Sequence, residues 1–137
     1  MKKVTKSFFI FSFGVLLMFI VLLPKTIFAQ DIDNGKLVYK RCIACHFVDR
    51  ESNKIGPSLK NIMGRTAGTK QGYKYSPAMI EAGQNGLIWT KETLKEYLHN
   101  SKAMIKGTRM ASIRINNDAD IDDLIAYIKS YDSQIDE

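Results

Sequence analysis

The chain has 137 residues and carries 20 Lys+Arg against 14 Asp+Glu, a formal net charge of +6. With 45% hydrophobic and 25% charged residues it has the composition and size of a single globular domain, which excludes wholesale disorder and fibrous classes. Two cysteines exclude a multi-bridge disulfide scaffold.

Residues 1–30 read as a targeting segment. Lys2, Lys3 and Lys6 form a basic start, and Phe8–Leu23 is an apolar run interrupted only by Ser12 and Gly14. Pro24 breaks any helix, and Ala29 offers a small residue at a cleavage site. The segment is either a signal peptide cut after Ala29 or a retained N-terminal membrane anchor over residues 8–28. Both readings place a domain of residues 31–137 outside the cytoplasm, in a bacterial periplasm. The leader holds four lysines and no acid, so the remainder carries 16 basic against 14 acidic residues, or +2. The charge that suggested a polyanion partner lies mostly in the leader, and no nucleic-acid motif is present.

The periodicity predicts an all-α domain. A first helix capped by Asp33 or Asn34 is expected to run to about Cys45. Cys42-Ile43-Ala44-Cys45-His46 is C-x-x-C-H, the attachment site of a c-type haem. Two thiols three positions apart lie on one side of a helical turn, so both can add to the vinyl groups of one porphyrin. The adjacent imidazole then becomes an axial ligand. A thiol–disulfide pair and half of a zinc site are the competing readings of C-x-x-C. Zinc lacks ligands, since His99 is the only other histidine and there is no second cysteine pair. A thiol redox pair usually follows a strand, and no strand pattern precedes Cys42.

Ser76-Pro77 predicts an N-cap with proline at the first helical position, opening a short helix stopped at Gly83. Thr90 predicts the cap of a third helix reaching about Ser101, with Trp89 and Leu94 spaced for a hydrophobic staple. Asn117 or Asp118 predicts the cap of a last helix. Its Ile121, Leu124, Ile125, Ile128 and Tyr131 form an i, i+3, i+4, i+7 stripe, read as plain core. A six-coordinate haem needs a second ligand. The candidates are His99, Met63, Met79, Met104 and Met110. Of these, Met110 lies in a turn-like stretch, Lys106-Gly107-Thr108-Arg109-Met110, whereas His99 sits inside a helical pattern.

In order along the chain stand Gly35 and Tyr39, CIACH, Gly56-Pro57-Ser58-Leu59, Gly64-Arg65, Gly72-Tyr73-Lys74-Tyr75-Ser76, Trp89 before Thr93-Leu94, Gly107-Thr108-Arg109-Met110 and Asp123-Leu124-Ile125-Ala126-Tyr127-Ile128-Lys129. This set resembles the class I c-type cytochromes of the mitochondrial and alpha-proteobacterial type, over about residues 31–131. The resemblance implies a cytochrome c-like fold of about four to five helices around one haem c, bound through Cys42 and Cys45. It implies His46 and Met110 as axial ligands of the iron, with the Pro57 carbonyl fixing the imidazole. It places Arg65, Tyr75 and Trp89 at the haem propionates, and Tyr97 and Thr108 on the methionine side. It implies that Gly35 lets the first helix approach the last. The sequence departs from the family at Lys106, Met104 and Ser112, and the stretch from Tyr75 to Trp89 is longer than in the shortest members.

The expected function is one-electron transport between respiratory or other redox partners by a monomeric carrier, not an enzyme. Its partners are expected to be membrane complexes with acidic docking surfaces, steered by Arg41, Lys54, Lys102, Lys106 and Arg109. A haem peroxidase or small-ligand-binding protein with a labile sixth ligand is the alternative. Residues 31–114 carry 15 basic against 7 acidic groups and residues 115–137 carry 1 against 7, so the segment bearing the proposed ligands is the positive one.

Overall fold

The computed structural model describes residues 30–110 and 113–132. The leader, its cleavage after Ala29 and the Ser112 position lie outside them. Among the described residues four helices follow one another: α1 (Ile32–Tyr39), α2 (Pro77–Gln84), α3 (Lys91–Met104) and α4 (Asp118–Lys129). The only β pairing among the described residues is an isolated antiparallel bridge between Thr66 and Ile88. Backbone bonds from Ala67 N to Leu87 O and from Trp89 N to Arg65 O, each 2.9 Å, extend that pairing of two loops.

Helix α1 starts one turn earlier in function than its sequence suggested. Asp31, not Asp33 or Asn34, is the cap, and its carboxylate accepts from the amides of Asp33 and Asn34 at 2.9 and 3.0 Å. The helix also ends earlier, at Tyr39 and not near Cys45. Beyond it the bonds tighten, with Cys42 N on Tyr39 O at 2.7 Å and Cys45 N on Cys42 O at 3.0 Å. Such i→i−3 turns hold the two cysteines on a compact coil instead of a continued helix.

Helix α1 crosses α4 at Gly35. A Cβ placed there would lie 2.1 Å from the Asp123 carbonyl oxygen and 2.8 Å from Tyr127 Cβ. The crossing is pinned by polar groups at its edge. Asp31 N donates to Asp123 Oδ1 at 2.8 Å, and Asn34 Nδ2 donates to Asp123 Oδ2 at 2.9 Å. The expected contact between the first and last helices is therefore present, and its glycine is obligatory for steric reasons.

Helix α2 is capped by Ser76 as expected, but Gly83 does not stop it. Gly83 is buried inside the last turn, where a Cβ would meet the Ala67 carbonyl oxygen at 2.0 Å. The chain turns two residues later, at Asn85 and Gly86, the latter with φ +91°. Helix α3 carries a reciprocal cap. Thr90 Oγ1 accepts from Thr93 N and Thr93 Oγ1 accepts from Thr90 N. It runs past Ser101 to Met104, broken at Asn100, whose φ of −158° and ψ of 80° are not helical. Asn117 caps α4 by accepting from Ala119 N at 2.9 Å.

The buried side chains of α3 and α4 include Leu94, Tyr97 and Leu98 on one helix and Ile121, Leu124, Ile125 and Ile128 on the other. Lys95 joins the two helices outside, paired with Asp118 at 3.0 Å and Asp122 at 3.3 Å. Exposed pairs of this kind add little to stability. No helix among the described residues is long and apolar enough to cross a membrane.

Candidate haem site

A cavity of about 480 Å³ occupies the middle of the domain, within the size range of small-molecule and cofactor pockets. Its wall is mostly apolar. Leu94 and Leu98 of α3 and Leu124, Ile125 and Ile128 of α4 form much of it. These residues were expected to be plain core, and they are core and cavity wall at once. Cys42, Cys45, His46, Pro57, Arg65, Tyr75, Trp89, Tyr97, Thr108 and Met110 all line the same cavity. Every residue expected at the site is therefore gathered there, from six separate stretches of chain.

His46 is buried, with 8% of its surface exposed. Its Nδ1 donates to the Pro57 carbonyl at 2.7 Å, which leaves the Nε2 lone pair free for a metal. The Tyr39 hydroxyl donates to the His46 carbonyl at 2.7 Å and fixes the backbone beneath the ring. Gly56 lies against the imidazole face, and a Cβ there would come within 2.3 Å of Cε1. Sequence reading gave Gly56 no role beyond its place in the motif. Only the packing shows that this glycine makes room for the ring. Burial lowers the His46 pKa below its usual value of 6.5; the Pro57 carbonyl opposes the shift and Lys54 reinforces it. The ring is thus neutral near pH 7, the form that can bind iron.

Burial pushes the Cys42 thiol up to about 11, with Arg41 opposing and Cys45 reinforcing. A thiol–disulfide redox centre needs a depressed thiol pKa and an accessible sulfur. Cys42 is buried and its pKa is shifted the other way, which does not favour that reading. Among the described residues no group of three or more His, Cys, Asp or Glu stands where it could hold a metal ion, so the zinc reading has no partners either.

The second-ligand candidates separate cleanly. His99 points away, with Nε2 on Asp118 Oδ1 at 2.8 Å. Met63 and Met104 do not line the cavity, whereas Met79 and Met110 do. Met79 was not distinguished by sequence, because its α2 position looked like any buried methionine. Tyr97 and Thr108 share a hydroxyl–hydroxyl bond of 2.5 Å beside Met110. At the other rim the Arg65 guanidinium donates to the Ser58 carbonyl at 2.9 Å and to Lys60 O. Tyr75 is half-buried, and burial raises its hydroxyl pKa against the pull of Arg65. Tyr73, which the sequence did not single out for the site, also lines the cavity and donates to Ile55 O at 2.9 Å.

Of the expected steering cations, Arg41 and Arg109 line the cavity mouth. Lys54 stands over the Phe47 ring at 4.3 Å and donates to Ile43 O. Lys102 and Lys106 are exposed but do not line the cavity. The donor set fits a covalent haem: two thiols, one neutral imidazole, two thioethers and an apolar wall.

The family model described as Cytochrome c matches residues 32–132. A cytochrome c2 from Afifella marina is 43% identical over 100 residues, covering 72% of this chain and 81% of that protein. Cytochrome c 2.1 from Caenorhabditis elegans is 46% identical over 102 residues, covering 74% and 89%. The structure of cytochrome c2 from Rhodospirillum centenum superposes with a TM-score of 0.69 at 31% identity, covering 74% of this chain and 98% of that one. With the C-x-x-C-H thiols and imidazole at one apolar cavity, the chain belongs to the cytochrome c family as a class I c-type cytochrome, a haem-containing electron carrier that holds haem c covalently.

Proposed function

We propose that the protein is a periplasmic one-electron carrier, exported by residues 1–30 and folded over residues 31–137, with His46 and Met110 as the axial ligands of its haem iron. The observation that carries this reading is that His46 and Met110 line one cavity with both cysteines, while His99 faces outward onto Asp118. When bound, the haem supplies reversible one-electron chemistry. The chain's own residues set its conditions. Pro57 holds the imidazole tautomer, and the leucines and isoleucines of α3 and α4 exclude water. Thioether is a soft ligand that favours the reduced metal and raises the potential. Arg65, Tyr75 and Trp89 supply donors for the propionates, and Tyr97 and Thr108 order the methionine side.

Met79 is the rival sulfur, so the test compares two variants of the haem-loaded protein. Met110→Leu is expected to abolish the weak far-red iron–sulfur band of the oxidised form and to lower the potential. Met79→Leu is expected to leave the band in place. Loss of the band in Met79→Leu alone would reassign the ligand.

The acidic docking partner is part of the same proposal. Arg41, Lys54 and Arg109 sit at or near the cavity mouth, and positive charge there would speed encounter with an acidic surface. Electron-transfer rates with such a partner are expected to fall as ionic strength rises from about 10 mM to 150 mM, where the Debye length shrinks from about 30 to 8 Å. Rates independent of salt would discard the steering.

A further inference from the structure

Met110 lies beyond the end of α3, and the described residues from 105 to 110 belong to no helix. What fixes it is side-chain bonding from α3. A serine inside a helix commonly bonds back to the carbonyl four residues earlier. Ser101 does not. Its hydroxyl donates to the Met110 carbonyl at 2.6 Å, nine residues further on. Only 3% of Ser101 is exposed, so the donor end of the bond is shielded from water, and Met110 at the other end is half-buried.

The break in α3 makes this possible. Asn100 leaves the helix with φ −158° and ψ 80°, and its side chain then accepts from Ala103 N at 3.2 Å, capping the turn that follows. The groups flanking the break turn to the methionine segment. Leu98, just before it, accepts from Ile115 N at 3.0 Å. Ser101, just after it, holds Met110 O. On its other side, Met110 N approaches Thr108 Oγ1 at 3.4 Å, the hydroxyl already engaged by Tyr97. Among the described residues, the short bond to the Met110 peptide groups is the one its carbonyl accepts from Ser101.

We propose that Ser101 is a positioning residue for the axial sulfur: it acts through the Met110 backbone to keep the thioether in place. The proposal rests on Met110 being the ligand. The bond is part-buried, and a carbonyl shielded from water that loses its donor is left with a desolvation penalty in addition to the lost hydrogen bond. That penalty falls on the closed, sulfur-bound arrangement and vanishes when the segment swings open to water. Opening exposes the sixth position to outside ligands.

The test is competition by imidazole for the oxidised, haem-loaded protein, read beside the far-red band. Ser101→Ala is expected to raise imidazole affinity about tenfold, the size of one orphaned buried acceptor. Its far-red band should weaken and its potential should fall. Ser101→Thr, which keeps the hydroxyl, should restore all three. Far-UV circular dichroism would show both variants folded; should Ser101→Ala not accumulate, Ser101→Cys, a weaker donor of similar size, is read in the same way. An imidazole affinity within roughly twofold of the wild type and an unchanged band would overturn the proposal while leaving Met110 as ligand. A wild-type protein with no far-red band, or a band that survives Met110→Leu, would instead overturn the ligand assignment and this proposal with it.

Discussion

A Cys42→Ala/Cys45→Ala chain is expected to be largely unfolded in water at 25 °C. The proposed domain of residues 31–137 has 107 residues, a size at which only about 60–68% of the unfolded surface is buried on folding. Its buried apolar side chains pack into one cluster, and many of them also face the centre of the domain. They surround a cavity of about 480 Å³. Kept dry, a void of that volume costs on the order of 10 kcal/mol at roughly 24 cal/mol per Å³. Filled with water, it hydrates the leucines and isoleucines whose burial should drive folding. Either cost matches the whole stability of a small domain, about 5–15 kcal/mol. Removing both thioether attachments takes away the group that occupies this space. Far-UV circular dichroism and urea titration would decide the matter. Native helix content with a cooperative transition in the double variant would show that the helices pack without the haem.

Gly35→Val is expected to destabilise the haem-loaded protein by roughly 3–5 kcal/mol, near the top of the range for single substitutions. The obstacle is backbone. A Cβ would overlap the Asp123 carbonyl oxygen at 2.1 Å, and that oxygen belongs to the ladder of α4 and cannot rotate away. The helices would have to separate. Separation would also stretch the bonds from Asp31 N and Asn34 Nδ2 to the Asp123 carboxylate. It would pull apart the Tyr39–Tyr127 ring contact, whose centroids are 5.3 Å apart. Tyr39 in turn holds the His46 carbonyl, so the damage should reach the site. Guanidinium unfolding of the oxidised protein measures the loss. A loss under about 1 kcal/mol would mean that α1 tilts freely on α4, which its polar pins argue against.

The sequence made some of this plain and hid the rest for identifiable reasons. C-x-x-C-H is a local signal, since two thiols and an imidazole within five residues need no tertiary information to be interpreted. Caps at Ser76, Thr90 and Asn117 were legible because a cap acts on amides two or three residues away. The early end of α1 was not, because its apolar spacing continues while its hydrogen bonds tighten into turns at the cysteines. Gly83 read as a stop because glycine serves both at helix ends and at close crossings, and only the Ala67 carbonyl at 2.0 Å tells the two apart. The break at Asn100 left no periodic mark, since Leu94, Tyr97 and Leu98 precede it in regular spacing. Gathering Pro57, Arg65, Tyr75, Trp89 and Met110 at one cavity is a tertiary fact. It was available beforehand only through resemblance to a family.

Leu94, Leu98, Leu124, Ile125 and Ile128 hold the helices together and also face the space meant for the prosthetic group. In these five residues the scaffold and the working surface are the same. A methyl group trimmed from Ile128 alters the folding free energy and, in the same stroke, the polarity felt by the iron. Exposed positions such as Ile32, Leu37 and Ile80 carry no such double duty. Along the cavity wall, retuning the redox potential and keeping the fold draw on the same side chains, so there the two traits change together.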